Sequence, residues 1–182
     1  MIQIGADVSD ALAGLDGLLQ AVEQATRPAA QAGAEVLYRE VLRRVPVSEG
    51  PHLIGNRVIQ PGALRGAIYQ VFSRDNSRPV GDGYQSATYH VSYNASKAPH
   101  GHLVEYGHVQ TRVVFRGDDG RWHTSAARLS APRHVAARPF LRPAFDAAQA
   151  QALQSAMSEF ERRVQPALAG QAGRGSAVEA SA

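Results

Sequence analysis

Five of the seven histidines fall between residues 100 and 134, at His100, His102, His108, His123 and His134. Neutral imidazole is a common ligand for zinc, copper or nickel, and two histidines one residue apart on an extended strand point to the same side. The pattern stops short of a metal site. No acidic or third imidazole ligand stands at a defined offset and no HExxH is present, so surface or hydrogen-bonding histidines account for the cluster. Serine, histidine and aspartate all occur, yet no GxSxG elbow frames a serine. Glu105 has no second carboxylate at a fixed separation, as glycoside chemistry needs, and reads as a structural acid pairing with an arginine. There is no GxxxxGK[ST] phosphate loop, and GDG at 81–83 reads as a turn with no helix after it. The chain contains no cysteine, which removes disulfides, thiolate nucleophiles and cysteine-ligated metals. No catalytic residue, cofactor or metal is assigned, and the chain is expected not to be an enzyme.

The charges are more informative. Nineteen basic and sixteen acidic residues leave a net charge of +3, and Lys97 is the one lysine. Residues 1–26 hold Asp7, Asp10, Asp16 and Glu23 with no Lys or Arg, whereas residues 112–142 hold Arg112, Arg116, Arg121, Arg128, Arg133, Arg138 and Arg142 against Asp118 and Asp119. Such polarity steers copies head to tail or draws DNA phosphate; two solvated faces are the plainer reading. Arg112, Arg116 and Arg121 are the candidate DNA-facing or interface residues, and a basic nucleic-acid-binding module built on 112–142 is the alternative function. Tyr84, Tyr89, Tyr93, Tyr106, Phe115 and Trp122 lie near arginines, a mixture used for base stacking, but strand alternation assigns most of them to the inner face of a sheet.

At 182 residues, 44% hydrophobic and 19% charged, the chain fits one domain with its own core. No apolar run approaches the length of a membrane span and the N-terminus lacks the pattern of a signal peptide, so a soluble protein made in a cytoplasm is expected. Val8, Leu12, Leu15, Leu19 and Val22 follow helical spacing, and Pro28 predicts a break near Arg27 with a fresh helix running to about Val45, its buried stripe Val36, Leu37, Val41 and Val45. Residues 46–66, rich in proline and glycine, read as a long loop. Strands are expected at 67–73, 87–94, 109–116 and 121–126, the last two joined by the turn GDDG at 117–120. A short helix is expected at 100–106. A final helix over about 140–165, with Leu141, Phe145, Ala148, Ala152, Ala156, Phe160 and Val164 on one face, should pack on the sheet. The expected fold is α+β: an antiparallel sheet of about four strands against a long N-terminal and a C-terminal helix. One domain spans 1–165, with a small-residue-rich, extended tail at 166–182.

Three segments in order carry a resemblance. VPVSEG (45–50), followed after an insertion by PGALRGAI (61–68), then HGHLVEYGHV (100–109), then ARPFLRPAFDAA (137–148), resemble the signature of the phage tail-component family, the tail-completion or head–tail joining proteins of lambda-like long-tailed phages. The resemblance covers roughly residues 28–165. The motif positions are Pro46, Gly62, Leu64, Arg65, Glu105, Tyr106, Gly107, Arg138, Pro139, Phe140, Leu141 and Pro143. About a dozen residues are inserted before Gly62, and His108 stands where the family generally has threonine. The resemblance implies a non-enzymatic virion protein of the neck, present in the host cytoplasm during assembly, that forms a homo-oligomeric ring, expected to be sixfold. Its implied partners are a head–tail connector or stopper protein, a tail terminator or tail-tube protein, and genomic DNA touched transiently and without sequence preference; no membrane is implied. Arg138 to Pro143 would form a rigid bend with Phe140 as anchor, Glu105 would hold Arg138 or Arg142, and Gly107 would permit a close turn. Loop 46–66 and the C-terminal tail are the segments expected to reach adjacent subunits.

Overall fold

The structure is a computed structural model that describes residues 9–54 and 57–179. Its elements run α1 (Ser9–Arg44), β1 (His52–Ile54), β2 (Arg57–Ile59), a single 3-10 turn (Arg65–Ala67), β3 (Ile68–Val80), β4 (Gly83–Tyr93), α2 (Gly101–Tyr106), β5 (His108–Arg116), β6 (Trp122–Val135) and α3 (Leu141–Glu179). The α+β class holds, but the sheet divides differently from expectation. A four-stranded mixed sheet has the order β2-β1-β6-β5, and β3 and β4 form a separate two-stranded sheet. The supposed loop 46–66 contributes β1 and β2, and β1 lies parallel to β6 with His52 beside Trp122. Three-residue strands carry too little alternation to be visible in a proline- and glycine-rich stretch; they pair with each other, and β1 joins the sheet beside β6, about 70 residues on.

Both long helices run through a proline. α1 continues past Pro28 where a break was expected, and α3 continues past Pro166 to Glu179 where an extended tail was expected. A proline forfeits one helical hydrogen bond, and flanking turns that are otherwise satisfied can carry the helix on. Around Pro28 those turns are pinned by buried Ala25 and Ala29, and the Thr26 hydroxyl donates to the Val22 carbonyl at 2.9 Å. After Pro166 the composition is rich in alanine, the strongest helix former. Val8 and residues 180–182 lie outside the described residues.

The described chain forms two compact units. One takes in the residues through Glu35, Val71–His90 and the chain from Ala150 on; the other takes in Val36–Gln70 and Val91–Gln149. In the first, α1 and α3 meet through small residues: a Cβ on Gly33 would stand 2.9 Å from the Ala152 carbonyl oxygen and 3.3 Å from the Ala156 methyl. α3 therefore packs there on a helix, where a sheet contact was expected. The Arg27 guanidinium lies 4.3 Å over the Phe72 ring, which meets Tyr84 edge-on and Tyr89 at a tilt. This is a cation–π cluster that ties the β3–β4 hairpin to α1. The leucines that spell the helical stripe of α1 face outward instead of forming core: Leu12, Leu15 and Leu19 are 57%, 52% and 58% exposed.

The second unit holds the main core of Val41, Val45, Leu64, Ala67, Ile68, Ala98, Phe140 and Ala144. Val41 and Val45 match the expected stripe of α1, but the buried side of α3 follows four-residue steps, Phe140, Ala144 and Ala148, which leaves Phe145 exposed. The β5–β6 turn at 117–120 falls where expected, with Gly120 at φ 73°, and β6 runs nine residues beyond its expected end at Ala126. Most side chains of this hairpin are exposed.

The same ion-pair pattern recurs in both long helices. Glu40 accepts from Arg43 and Arg44, and Glu159 accepts from Arg162 and Arg163, each at 2.6–3.0 Å. The paired guanidinium hydrogen bonds hold both carboxyls down at about 2.

Candidate functional site

The three motif segments meet in the second unit. α2 begins just after a turn organised by Asn94, whose side-chain oxygen accepts from the backbone N–H groups of Ser96 and Lys97. Gly101 opens α2 because a Cβ there would lie 2.4 Å from the Tyr93 ring. That ring leans on Phe140 at a centroid distance of 6.1 Å. Burial, followed by the charges of Tyr106 and Glu105, raises the Tyr93 phenol above its ordinary value of 10.0.

At the far end of α2, Glu105 is only 6% exposed, and its carboxylate turns toward the start of α3. Its Oε2 accepts from the backbone N–H of Phe140 at 2.8 Å and of Leu141 at 3.2 Å, and its Oε1 accepts from Arg142 N–H at 3.4 Å. The expected guanidinium pairing is thus replaced by a helix cap supplied from another element. The first N–H groups of any helix lack partners within it, and a carboxylate there satisfies them and complements the positive end of the helix dipole. Arg138 joins α2 through its own N–H, which donates to the Val104 carbonyl at 2.8 Å, while its side chain is exposed.

Gly107 ends α2 at φ 73°, ψ 176°, and an added Cβ would stand 2.7 Å from the Val135 carbonyl oxygen and 2.9 Å from the Ala137 nitrogen. Only glycine suits both the angles and the space. Phe140 is fully buried and Leu64 is buried in the same core, whereas Tyr106 is 79% exposed and Phe115 is also exposed, against the expectation that the aromatics line the sheet. Pro46 and Pro143 are half-buried, Leu141 packs against the core, and Arg65 and Pro139 face out. Gly62 takes φ 81° with open space around it.

Arg112, Arg116 and Arg121 all lie exposed on the β5–β6 hairpin, in differing surroundings. Arg116 donates to the Gly120 carbonyl at 3.4 Å and Arg121 approaches Asp119 at 3.7 Å, so both serve the turn. Asp119 also meets His123 Nε2 at 2.9 Å; this bond, then the Arg121 backbone N–H, holds its carboxyl below the ordinary range. Arg112 has no such tie. It stands directly across from Arg128, an arrangement that repels, and neither has an ion-pair partner among the described residues. The Arg112–Arg128 pairing is invisible in the sequence, because two register shifts in β5 set it.

The histidines do not gather into one site. His52 stacks on Trp122 at 6.2 Å, burial lowers its pKa, and His100 is lowered by burial and then by His52 and His102. His123 stacks on Phe115, and His108 and His134 pair across the hairpin with Val135 and Val109. Among the described residues no group of three or more His, Asp or Glu side chains is placed to hold a metal, and no helix is long and apolar enough to cross a membrane. Compared with models of protein families, with curated proteins and with solved structures, the chain matches none.

Proposed function

We propose that the protein is a structural component of a tailed double-stranded DNA phage, assembling as a ring in the neck that completes the tail and joins it to the head connector. One observation supports this reading. The segments that resemble the tail-component family are distant in sequence, yet Val45, Leu64, Glu105 and Phe140 come together around one core and one helix cap. These motif positions therefore help build the subunit, while Arg65, Tyr106, Arg138 and Pro139 face out, as suits a protein that works by shape. The broad outward leucine face of α1 and the exposed hairpin suit a brick with neighbours. Partners on this reading are further copies, a connector or stopper protein, a terminator or tail-tube protein, and DNA passing through the opening.

The test is genetic and microscopic. Deleting the chain from its phage should leave filled heads and finished tails unattached, and the protein should be present in purified particles at a low, fixed copy number. Infectious particles that form without it would end the proposal.

The unpaired Arg112–Arg128 couple favours a second reading, a sequence-independent nucleic-acid module. That reading requires DNA affinity that falls steeply with salt and drops further on Arg112→Ala and Arg128→Ala. Affinity that is flat across salt would remove it.

A further inference from the structure

We propose that the β5–β6 hairpin of one copy docks, through Arg112, Val114 and Arg116, on the Leu12–Leu15–Leu19 face of α1 in the next copy. This rests on the ring reading above and supplies the two unlike surfaces such a ring needs. Each surface is unsatisfied within its own subunit. The three leucines recur at three- and four-residue steps, are all more than half exposed, and have exposed Asp16 at their edge within a segment that carries acids and no bases. On the hairpin, continuous register from Val114 to Arg116 puts these two on one face, with Val114 exposed, and Arg112, exposed just beyond a register shift, is repelled by Arg128 across the strand pair. An acidic, leucine-bearing helix relieves that repulsion and covers the valine; the arginines in turn neutralise the acids.

The dimensions agree. Leu12 to Leu19 spans about 10 Å of helix at ~1.5 Å per residue, and Arg112 to Arg116 spans about 13 Å of strand at ~3.3 Å per residue. The other occupants fit less well. Two leucine faces packed on each other would bring Asp16 of both copies together, and DNA laid on the arginines would leave the leucines in water.

The cysteine-free chain allows a direct test. Full-length Leu15→Cys and Val114→Cys proteins, both altered at exposed positions, are mixed and mildly oxidised, and the products are resolved by mass. A disulfide between unlike chains is expected. Its yield should fall about tenfold or more when Asp16→Arg is added to the first chain or Arg112→Glu to the second, since like charges at a contact cost several kcal/mol, and should return when both are present. Leu15→Cys chains that link mainly to themselves would overturn the proposal in favour of a symmetric helix pair. Absence of the mixed product from a chain that sediments as an oligomer would overturn this interface and leave the ring reading standing. A chain that stays monomeric but binds DNA through Arg112 would overturn it in favour of the nucleic-acid reading. Failure of the ring reading itself is seen separately, as absence of the protein from virions.

Discussion

The carboxylate of Glu105 accepts the backbone N–H of Phe140 at 2.8 Å, so the one acid of α2 fixes the first turn of a helix that starts at Leu141, 36 residues later. One side chain thereby sets where α3 begins and how Phe140, fully buried, enters the core. The same carboxylate takes the N–H groups of Leu141 and Arg142, which lets a buried charge be stable without an arginine.

Removing that acceptor strands three N–H groups at a helix start. Glu105→Ala should destabilise the subunit by about 2–3 kcal/mol, and Glu105→Gln, which keeps an acceptor oxygen but no charge, by about 1 kcal/mol. Chemical denaturation of both variants measures this. Equal losses would mean that the charge contributes nothing.

Phe140 and Phe145 lie five residues apart at the start of α3, one fully buried and the other exposed. Phe140→Ala should cost about 3–5 kcal/mol, whereas Phe145→Ala should stay within about 0.5 kcal/mol in the unassembled subunit. Melting curves of the pair test the burial pattern directly, and a large loss at Phe145 would place that ring in a core.

Gly107→Ala forces a side chain into a glycine-only backbone region and against the Val135 carbonyl 2.7 Å away. A loss of about 1–3 kcal/mol is expected. Amide exchange should show opening concentrated where α2 meets β5.

Acid should weaken both long helices. Glu40 and Glu159 have carboxyls lowered from 4.5 to about 2 by their arginine pairs, so the stabilisation is complete above about pH 4.5 and disappears as pH falls toward 2. Thermal midpoints recorded from neutral pH to about pH 2 should fall less steeply for a Glu40→Gln, Glu159→Gln double variant than for the parent. Parallel curves would show that these exposed pairs carry no net stability.

Several features were legible in the residue order. The anchor role of Phe140 came with the resemblance, whereas the C-terminal half of α1, α2 and the β5–β6 turn follow from helical spacing and from turn residues. These are local properties, set by backbone angles and by neighbours three or four residues away. The pairing of β1 with β6, the passage of both long helices through proline, the outward turn of Leu12, Leu15 and Leu19, and the choice of backbone N–H over arginine as the partner of Glu105 were decided only by the tertiary structure. Each depends on a group distant in sequence or on whether a helix face finds an apolar neighbour. Spacing shows that a face is apolar, but what covers it depends on how the chain returns in three dimensions.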